Sequence, residues 1–254
     1  MSTAAEIGHV EVRADYERWA AAQDSELTYW RGLGGQEALR LCAEKADFFA
    51  LLGDGAAIEF LADKTVLEIG CGPLGVSIVS FAPCKDRIRQ LIKTDPLPRL
   101  ALGETRLRSD AWAAPLLVWL DALADEGEYV QVAGEDMPFE ARFDTVVVYN
   151  VLDHVRDPLG ILRNAARALR PGGHVLVAVD CRSVVGRWRF DWWTRRTHKG
   201  TILVDAHPHT FVPGMVERLI ERAGFRVRRR YGIPGTVGRW IGRATRPVFV
   251  AQKR

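Results

Sequence analysis

The feature that most constrains the fold is an alternation of short apolar runs with helical patterns, which begins at Thr65. Five runs are apolar on both faces, and in chain order they are TVLEIG, RIRQLIKTD, YVQVAG, FDTVVVYN and GGHVLVAVD. Strands of this kind, separated by helices, are typical of a parallel sheet that is covered on both sides. The sequence therefore predicts a doubly wound α/β domain.

The second half of the chain carries clear helix signals. Asp157 is a predicted N-cap with Pro158 in the first helical turn, and the RPGG stretch at Arg170–Gly173 is predicted to end that helix. Another amphipathic helix is predicted from Pro213 to Ala223. The final segments, FRVRRRYG and RPVFVAQK, predict a C-terminal antiparallel hairpin. We therefore expect a mostly parallel sheet of seven strands.

The first part of the chain predicts helices. Residues 10–22 and 36–52 indicate two or three of them, so we expect an N-terminal helical extension over residues 1–60 ahead of a main domain over 61–254. The extension is either a lid over the site or a cover for the sheet. The long stretch between Asp95 and Tyr129 is expected to add a further helix.

Composition excludes several classes of protein. No run of about 18 apolar residues appears, and the first residues carry charges where a signal peptide needs an apolar core, so we expect a cytoplasmic protein without membrane contact. The cysteines lie far apart and favour neither a zinc site nor a disulfide framework, and we expect no metal. They are Cys42, Cys71, Cys84 and Cys181.

Charge is distributed unevenly along the chain. Residues 181–254 hold 17 Lys and Arg against 4 Asp and Glu, whereas the first 180 residues hold 18 against 28. Such asymmetry indicates either an anion-binding or nucleic-acid-binding face or a merely solvated surface.

The stretch VLEIGCGPLGVS, Val66 to Ser77, contains two overlapping glycine patterns. Gly-x-Gly-x-x-Gly from Gly70 suggests a dinucleotide, whereas Glu-x-Gly-x-Gly from Glu68 suggests S-adenosylmethionine. Asp95 at the end of the second strand suits the ribose of either ligand. Glu68 and the short remaining chain, which lacks a second mononucleotide half, favour S-adenosylmethionine. We expect Glu68 to anchor the loop by accepting backbone N–H bonds.

Four stretches and Asp95, in this order along the chain, resemble the successive motifs of class I S-adenosylmethionine-dependent methyltransferases, in the branch that modifies small molecules. The resemblance covers about Thr65 to Tyr231, through VLEIGCGPLG, Asp95, GEDMPFEARFDTVVVYNVLDHVRDP, LRPGGHVLVAVD and HTFVPGMVERLIERAGFRV. It implies S-adenosyl-L-methionine as cofactor. The implied cofactor-binding residues, besides Glu68, are Gly70, Cys71 and Gly72 at the methionine and ribose, Asp95 at the ribose hydroxyls, Gly134, Glu135 and Asp136 at the adenine, and Asn150 at the amino-acid end. One departure is Ala133, where the family often has an aspartate.

Methyl transfer to a hydroxyl or a protonated amine also needs a base. His154 follows the fourth strand, where the sheet edge forms the site in such folds, and His207 and His209 are the rival candidates. The alternative for His154 is structural, since a histidine there can tie the loop to the neighbouring helix. Asp153 either orients His154 or faces solvent.

The acceptor is expected to contact the helical extension and an insertion at about residues 182–210, where arginines alternate with tryptophans. The alternative is an amphipathic helix whose tryptophans cover the sheet. The candidate acceptor-binding residues are Tyr29, Trp30, Arg187, Arg189, Trp192, Arg195 and Arg196.

These features predict a methyltransferase that acts on an oxygen or nitrogen atom of a small-molecule acceptor. The candidate acceptors are natural products, aromatic molecules and anionic molecules. We expect a monomer or homodimer without a nucleic-acid partner. Two alternatives stay open: an RNA methyltransferase that uses the basic C-terminal surface, and a protein that binds S-adenosylmethionine without methylating.

Overall fold

The computed structural model describes residues 16–197, 207–232 and 245–254. Its centre is a sheet of seven strands in the order β3-β2-β1-β4-β5-β7-β6. The strands are β1 Thr65–Ile69, β2 Gln90–Asp95, β3 Glu128–Gln131, β4 Phe143–Tyr149, β5 Leu169–Ala178, β6 Phe225–Tyr231 and β7 Val248–Lys253. The first five pair in parallel, and β7 runs antiparallel to both β5 and β6. The predicted doubly wound sheet and its C-terminal antiparallel pair are confirmed.

Helices precede, cover and connect the strands. They are α1 Tyr16–Arg31, α2 Gly35–Leu52, α3 Asp54–Leu61, α4 Ala114–Ala124, α5 Pro158–Ala168, α6 Val184–Arg189, α7 Arg195–Thr197 and α8 Pro213–Arg222, with a π-helical turn at Phe190–Thr194. Short 3-10 turns occur at Val79–Phe81, Lys85–Arg87, Leu102–Glu104, Arg106–Ser109 and Ala111–Ala113. The further helix expected between Asp95 and Tyr129 is α4. The helix expected at 10–22 lies partly outside the described residues, and α1 continues to Arg31.

Both faces of the sheet are buried by helices. On one face α5 and α8 pack against β1, β4 and β5, and on the other α2 and α3 pack against the same strands. The packing explains why these strands are apolar on both faces. Since α2 and α3 share a hydrophobic cluster with the sheet, they cover it, while the domain boundary near residue 60 stays a prediction.

The start and the end of α5 both follow the sequence signals, since the helix ends just before the RPGG stretch. The Asp157 side chain accepts a hydrogen bond from Gly160 N at 2.9 Å, as expected of an N-cap. The helix ends at Ala168, before the RPGG stretch, and β5 already begins at Leu169. The pairing register with β4 shifts between Phe143 and Thr145, so the extra residues of RPGG form a bulge within the strand.

The strand order indicates where a ligand site lies. Because β1 lies between β2 and β4, the chain winds outward in opposite directions from β1, and the loops after these three strands meet at one edge. Ile69 at the end of β1 pairs with Thr94 of β2 and Val148 of β4. Ligands of open α/β sheets bind at the carboxyl ends of the strands, at such a reversal.

Among the described residues, no helix is both long enough and apolar enough to cross a membrane.

Candidate active site

A cavity of about 390 Å³ opens at the carboxyl ends of β1, β2 and β4. The loops after these strands form its floor, and α1 and α2 supply its roof. The roof residues are Trp19, Gln23, Glu26, Tyr29, Trp30, Glu37, Arg40, Leu41, Glu44 and Lys45. Residues of the helical extension therefore line the cavity as well as covering the sheet, and a lid role for the extension stays a prediction.

Two glycines of the loop after β1 have backbone conformations that favour glycine. Gly70 has φ +74°, and a Cβ there would lie 2.4 Å from Val151 Cγ2. Gly72 has φ +84°, and its Cβ would lie 3.2 Å from the Trp30 ring. Together they let the backbone turn sharply under the roof of the cavity, where a ligand can approach it closely.

Glu68 anchors this loop. Its side chain is buried, and its carboxylate accepts hydrogen bonds from Ile78 N at 3.1 Å and from the Ser77 hydroxyl. The carboxylate thereby fixes the far end of the glycine loop to the end of β1. This is the arrangement that the sequence suggested for Glu68, which also lines the cavity beside Cys71.

Asp95 ends β2 at the cavity. Its Oδ2 accepts a hydrogen bond from Gly72 N at 2.9 Å, and its Oδ1 accepts one from Leu97 N at 3.0 Å. Burial raises the pKa of this carboxyl to about 7, although the two backbone N–H groups act in the opposite direction. Each oxygen keeps acceptor capacity that a ligand hydroxyl can use.

Asn150 lies directly after β4 with φ +55°, an unusual conformation for a residue other than glycine. Its backbone N–H donates to Ala178 O at 2.7 Å, which holds the residue at the cavity wall. In the described part of the chain, its buried Oδ1 has no hydrogen-bond partner. A ligand that brings a donor, such as an ammonium group, fits this position.

Of the three residues implied for adenine binding, two line the cavity and one does not. Gly134 and Glu135 line the cavity, and a Cβ at Gly134 would lie 2.8 Å from Ile161 Cδ1. Glu135 Oε1 accepts hydrogen bonds from Arg156 N at 3.0 Å and Asp157 N at 3.2 Å, so this carboxylate holds the loop before α5. Asp136 is exposed and lies outside the cavity lining.

Two of the three candidate histidines meet in the cavity. The rings of His154 and His207 lie 4.3 Å apart, centroid to centroid. His154 Nδ1 lies 3.0 Å from Glu26 Oε1 of α1. Burial would raise the pKa of Glu26, but its contact with His154 and the charges of His154 and His207 hold that pKa below its usual value. His209 is buried outside the cavity lining, with Nε2 2.7 Å from Val155 O.

The predicted acceptor residues separate into two groups. Tyr29 and Trp30, whose ring centroids lie 5.4 Å apart, form an aromatic wall of the cavity, and Trp19, earlier in α1, also lines it. Outside the lining are Arg187, Arg189, Trp192 and Arg196, while Arg195 begins α7. Part of the insertion, including Lys199 and Asp205, lies outside the described residues. The role of these arginines toward an acceptor stays a prediction.

Sequence patterns missed most of the charged residues of the cavity. Its described lining contains seven carboxylates but three Lys or Arg side chains. The carboxylates belong to Glu26, Glu37, Glu44, Glu68, Asp95, Glu135 and Asp180, and the cations to Arg40, Lys45 and Arg246. Arg246 is already paired with Glu44 at 3.0 Å and Asp180 at 2.8 Å. The cavity therefore favours a neutral or positively charged ligand.

The known proteins that this chain resembles in sequence are methyltransferases. A family model described as a methyltransferase domain matches residues 35–229. The ubiquinone biosynthesis O-methyltransferase of Methylobacterium sp. (strain 4-46) is 32% identical over 193 residues, which cover 72% of this chain and 68% of that relative. The chain spans about half the length of several other curated relatives.

Solved structures resemble the fold. The 1,6-didemethyltoxoflavin-N1-methyltransferase of Burkholderia thailandensis, solved with 1,6-didemethyltoxoflavin and S-adenosylhomocysteine, gives a TM-score of 0.55 at 17% identity and covers 94% of this chain and 91% of that one. The [4+2]-cyclase SpnF gives 0.52 at 13% identity and covers 79% of each chain. At these identities the likeness establishes the fold alone.

Proposed function

The chain belongs to the class I S-adenosylmethionine-dependent methyltransferases, and from that premise we propose that it methylates a hydroxyl oxygen or an amine nitrogen of a neutral, aromatic small molecule. The observation that carries the proposal is one cavity that joins the glycine loop, Asp95 and Asn150 to an aromatic wall and a histidine pair.

Three features of the cavity support the binding of S-adenosylmethionine. Gly70 and Gly72 leave the backbone open to close approach, Asp95 accepts the ribose hydroxyls, and the unpartnered Oδ1 of Asn150 receives the ammonium of the methionine portion. The excess of carboxylates also favours a sulfonium. When bound, the cofactor supplies an activated methyl group to the acceptor.

The acceptor side lies under α1. Trp19, Tyr29 and Trp30 offer flat apolar surfaces to an aromatic ring. Since the cavity carboxylates outnumber its cations and Arg246 is paired, an anionic acceptor is disfavoured, and we propose a neutral one. The task of the chain is then to exclude water and align the acceptor atom with the methyl group.

Relatives support both kinds of acceptor atom. The Methylobacterium relative is named an O-methyltransferase and the Burkholderia protein an N1-methyltransferase. We favour oxygen, because the O-methyltransferase is the more similar in sequence. A cytoplasmic location and a monomer or homodimer are part of the same proposal.

The test is methyl transfer from labelled S-adenosylmethionine to a panel of neutral phenols and catechols, aromatic amines, aromatic carboxylates and total RNA. We expect label in a phenol or catechol, with equal release of S-adenosylhomocysteine. Label in RNA alone would establish the RNA alternative. Binding of S-adenosylhomocysteine without turnover of any acceptor would favour the non-methylating alternative.

A further inference from the structure

Three potential metal ligands converge at the cavity, two in the loop after β4 and one in the segment before α8. Asp153 Oδ2 lies 3.7 Å from His154 Nε2 and 3.8 Å from His207 Nε2. One ligand atom from each residue lies within 4.8 Å of the other two. We propose that Asp153, His154 and His207 bind a divalent transition-metal ion, of which Zn²⁺ is the reference case.

The distances suit such an ion after a small adjustment. Zn²⁺ binds imidazole nitrogen and carboxylate oxygen at about 2.0–2.2 Å, which puts tetrahedral ligands roughly 3.4 Å apart. The two separations from Asp153 Oδ2 exceed that value by a few tenths of an ångström, and the two histidine nitrogens lie within 4.8 Å of each other. Side-chain rotation of His154 and His207, which are partly exposed, can close the difference without moving the sheet.

Glu26 orients one of the ligands. Its Oε1 lies 3.0 Å from His154 Nδ1, so the other ring nitrogen, Nε2, is the one turned toward Asp153. A histidine that binds a metal usually donates its second N–H to a carboxylate or carbonyl, which fixes the ring and its tautomer. Glu26 supplies this supporting contact from α1, a different element from the ligands.

Asp153 supplies the second indication. The residue is 3% exposed, and its Oδ1 has no hydrogen-bond partner among the described residues. A buried carboxylate without full compensation is costly, and a cation bound at Oδ2 provides the compensation. The nearby carboxylates of the cavity further favour a positive ion.

The donor set selects the class of ion. Two imidazoles and one carboxylate suit Zn²⁺, Co²⁺ or Fe²⁺, whereas Mg²⁺ and Ca²⁺ prefer oxygen donors throughout. Three protein ligands leave at least one position open, as in catalytic rather than structural zinc sites. The His154 and His207 side chains face the cavity, so the open position lies on the acceptor side.

Metal binding changes the roles predicted from the sequence. A His154 held by Glu26 at one nitrogen and by the metal at the other cannot act as a base. Resting on the proposed function, we infer that the ion holds the acceptor through a hydroxyl oxygen and lowers the pKa of that hydroxyl. The site narrows the acceptor class to phenols or catechols.

The experiment begins with the full chain, treated with a chelator and then dialysed. Titration with Zn²⁺ by calorimetry and with Co²⁺ by visible absorption is expected to give one ion per chain. His154→Ala and His207→Ala should abolish this binding, and Glu26→Gln should weaken it about 10- to 100-fold. His174→Ala is the matched control, because His174 packs on Phe60 away from the cavity, and it should bind like the unaltered chain.

Circular dichroism and S-adenosylhomocysteine binding, measured on the same samples, show whether each variant is folded. If His154→Ala does not fold, His207→Ala alone tests the metal site. The His207 side chain is 30% exposed, so its removal should leave the fold intact. Absence of bound ion in the unaltered chain, or equal binding by His207→Ala, overturns the metal site and leaves methyl transfer untouched. Stoichiometric metal with no methyl transfer overturns the proposed function and leaves the metal site intact.

Discussion

Asp95 makes cofactor binding dependent on pH. Burial raises the pKa of its carboxyl to about 7, and the ionised form is the better acceptor for two ribose hydroxyls. We expect the affinity for S-adenosylhomocysteine to rise as pH increases through about 7, with proton release on binding. Calorimetry in buffers of different ionisation enthalpy measures both effects.

Asp95→Asn is the matching variant. It should weaken binding at least about tenfold and flatten the pH dependence, since a charge-assisted hydrogen bond contributes about 1.5–3 kcal/mol. The stability of the fold depends on pH in the opposite direction. The folded pKa exceeds the unfolded value of about 3.9, so the contribution of Asp95 to stability falls as pH rises from about 4 to 7. A pH-independent affinity of the unaltered chain would contradict this role.

Gly72 tests the close approach of a ligand to the loop. Gly72→Ala forces an L side chain to φ +84° and places a methyl group 3.2 Å from the Trp30 ring, inside the cavity. We expect a loss of cofactor affinity of at least about tenfold, as a strained backbone residue costs about 1–3 kcal/mol. The control is Gly55→Ala in α3, where a Cβ meets nothing within 4 Å. Equal affinities in the two variants would argue against a ligand at this loop.

At the scale of elements, Lys93 joins the glycine loop to α4. It is fully buried in β2, and its Nζ donates to Gly75 O at 2.6 Å and Ala124 O at 2.7 Å. Lys93→Ala leaves a cavity and two buried carbonyls without a donor, and we expect it to lower the free energy of unfolding by about 2–5 kcal/mol. Urea denaturation measures this change.

Lys85 provides the comparison for Lys93. It forms an ion pair with Glu126 that is about one-third exposed, so Lys85→Ala should cost no more than about 1 kcal/mol. Similar losses in the two variants would mean that the buried contacts of Lys93 do not stabilise the loop.

The acceptor side can be assigned to one of two elements. Trp19 of α1 lines the cavity, whereas Arg189 of α6 lies outside its lining. We expect Trp19→Ala to raise the KM for the acceptor with cofactor affinity unchanged, and Arg189→Ala to change neither. Steady-state kinetics with calorimetry separates the two effects. A raised KM in Arg189→Ala alone would return the acceptor to the insertion at residues 182–210.

Local patterns explain which elements the sequence could predict. The runs before Gly70 and after Gly173 are apolar on both faces, and Asp157 with Pro158 marks a helix start, so periodicity and capping suffice there. The role of Lys93 could not be predicted in this way, because no local sequence pattern shows that a charged residue in a central strand donates to two carbonyls. The contact of Glu26 with His154, 128 positions further along, likewise depends on how α1 folds over the sheet.

At the scale of the whole molecule, the charge asymmetry of the chain is partly neutralised by folding. Arg229 of β6 pairs with Glu59 of α3 at 2.8 Å, and Arg246 pairs with Glu44 of α2. Basic residues of the last third thus meet acidic residues of the first. These pairs reduce the basic surface that an RNA would contact, which weakens the RNA alternative.

The fold by itself does not determine the chemistry, because a [4+2]-cyclase has a similar one. The chemistry therefore depends on the cavity, and most directly on the ligand that its glycine loop binds. The decisive measurement is calorimetric titration of the unaltered chain with S-adenosylhomocysteine and, separately, with NAD. We predict saturable binding of one S-adenosylhomocysteine per chain and no heat of binding with NAD. Tight binding of NAD without a response to S-adenosylhomocysteine would contradict this prediction.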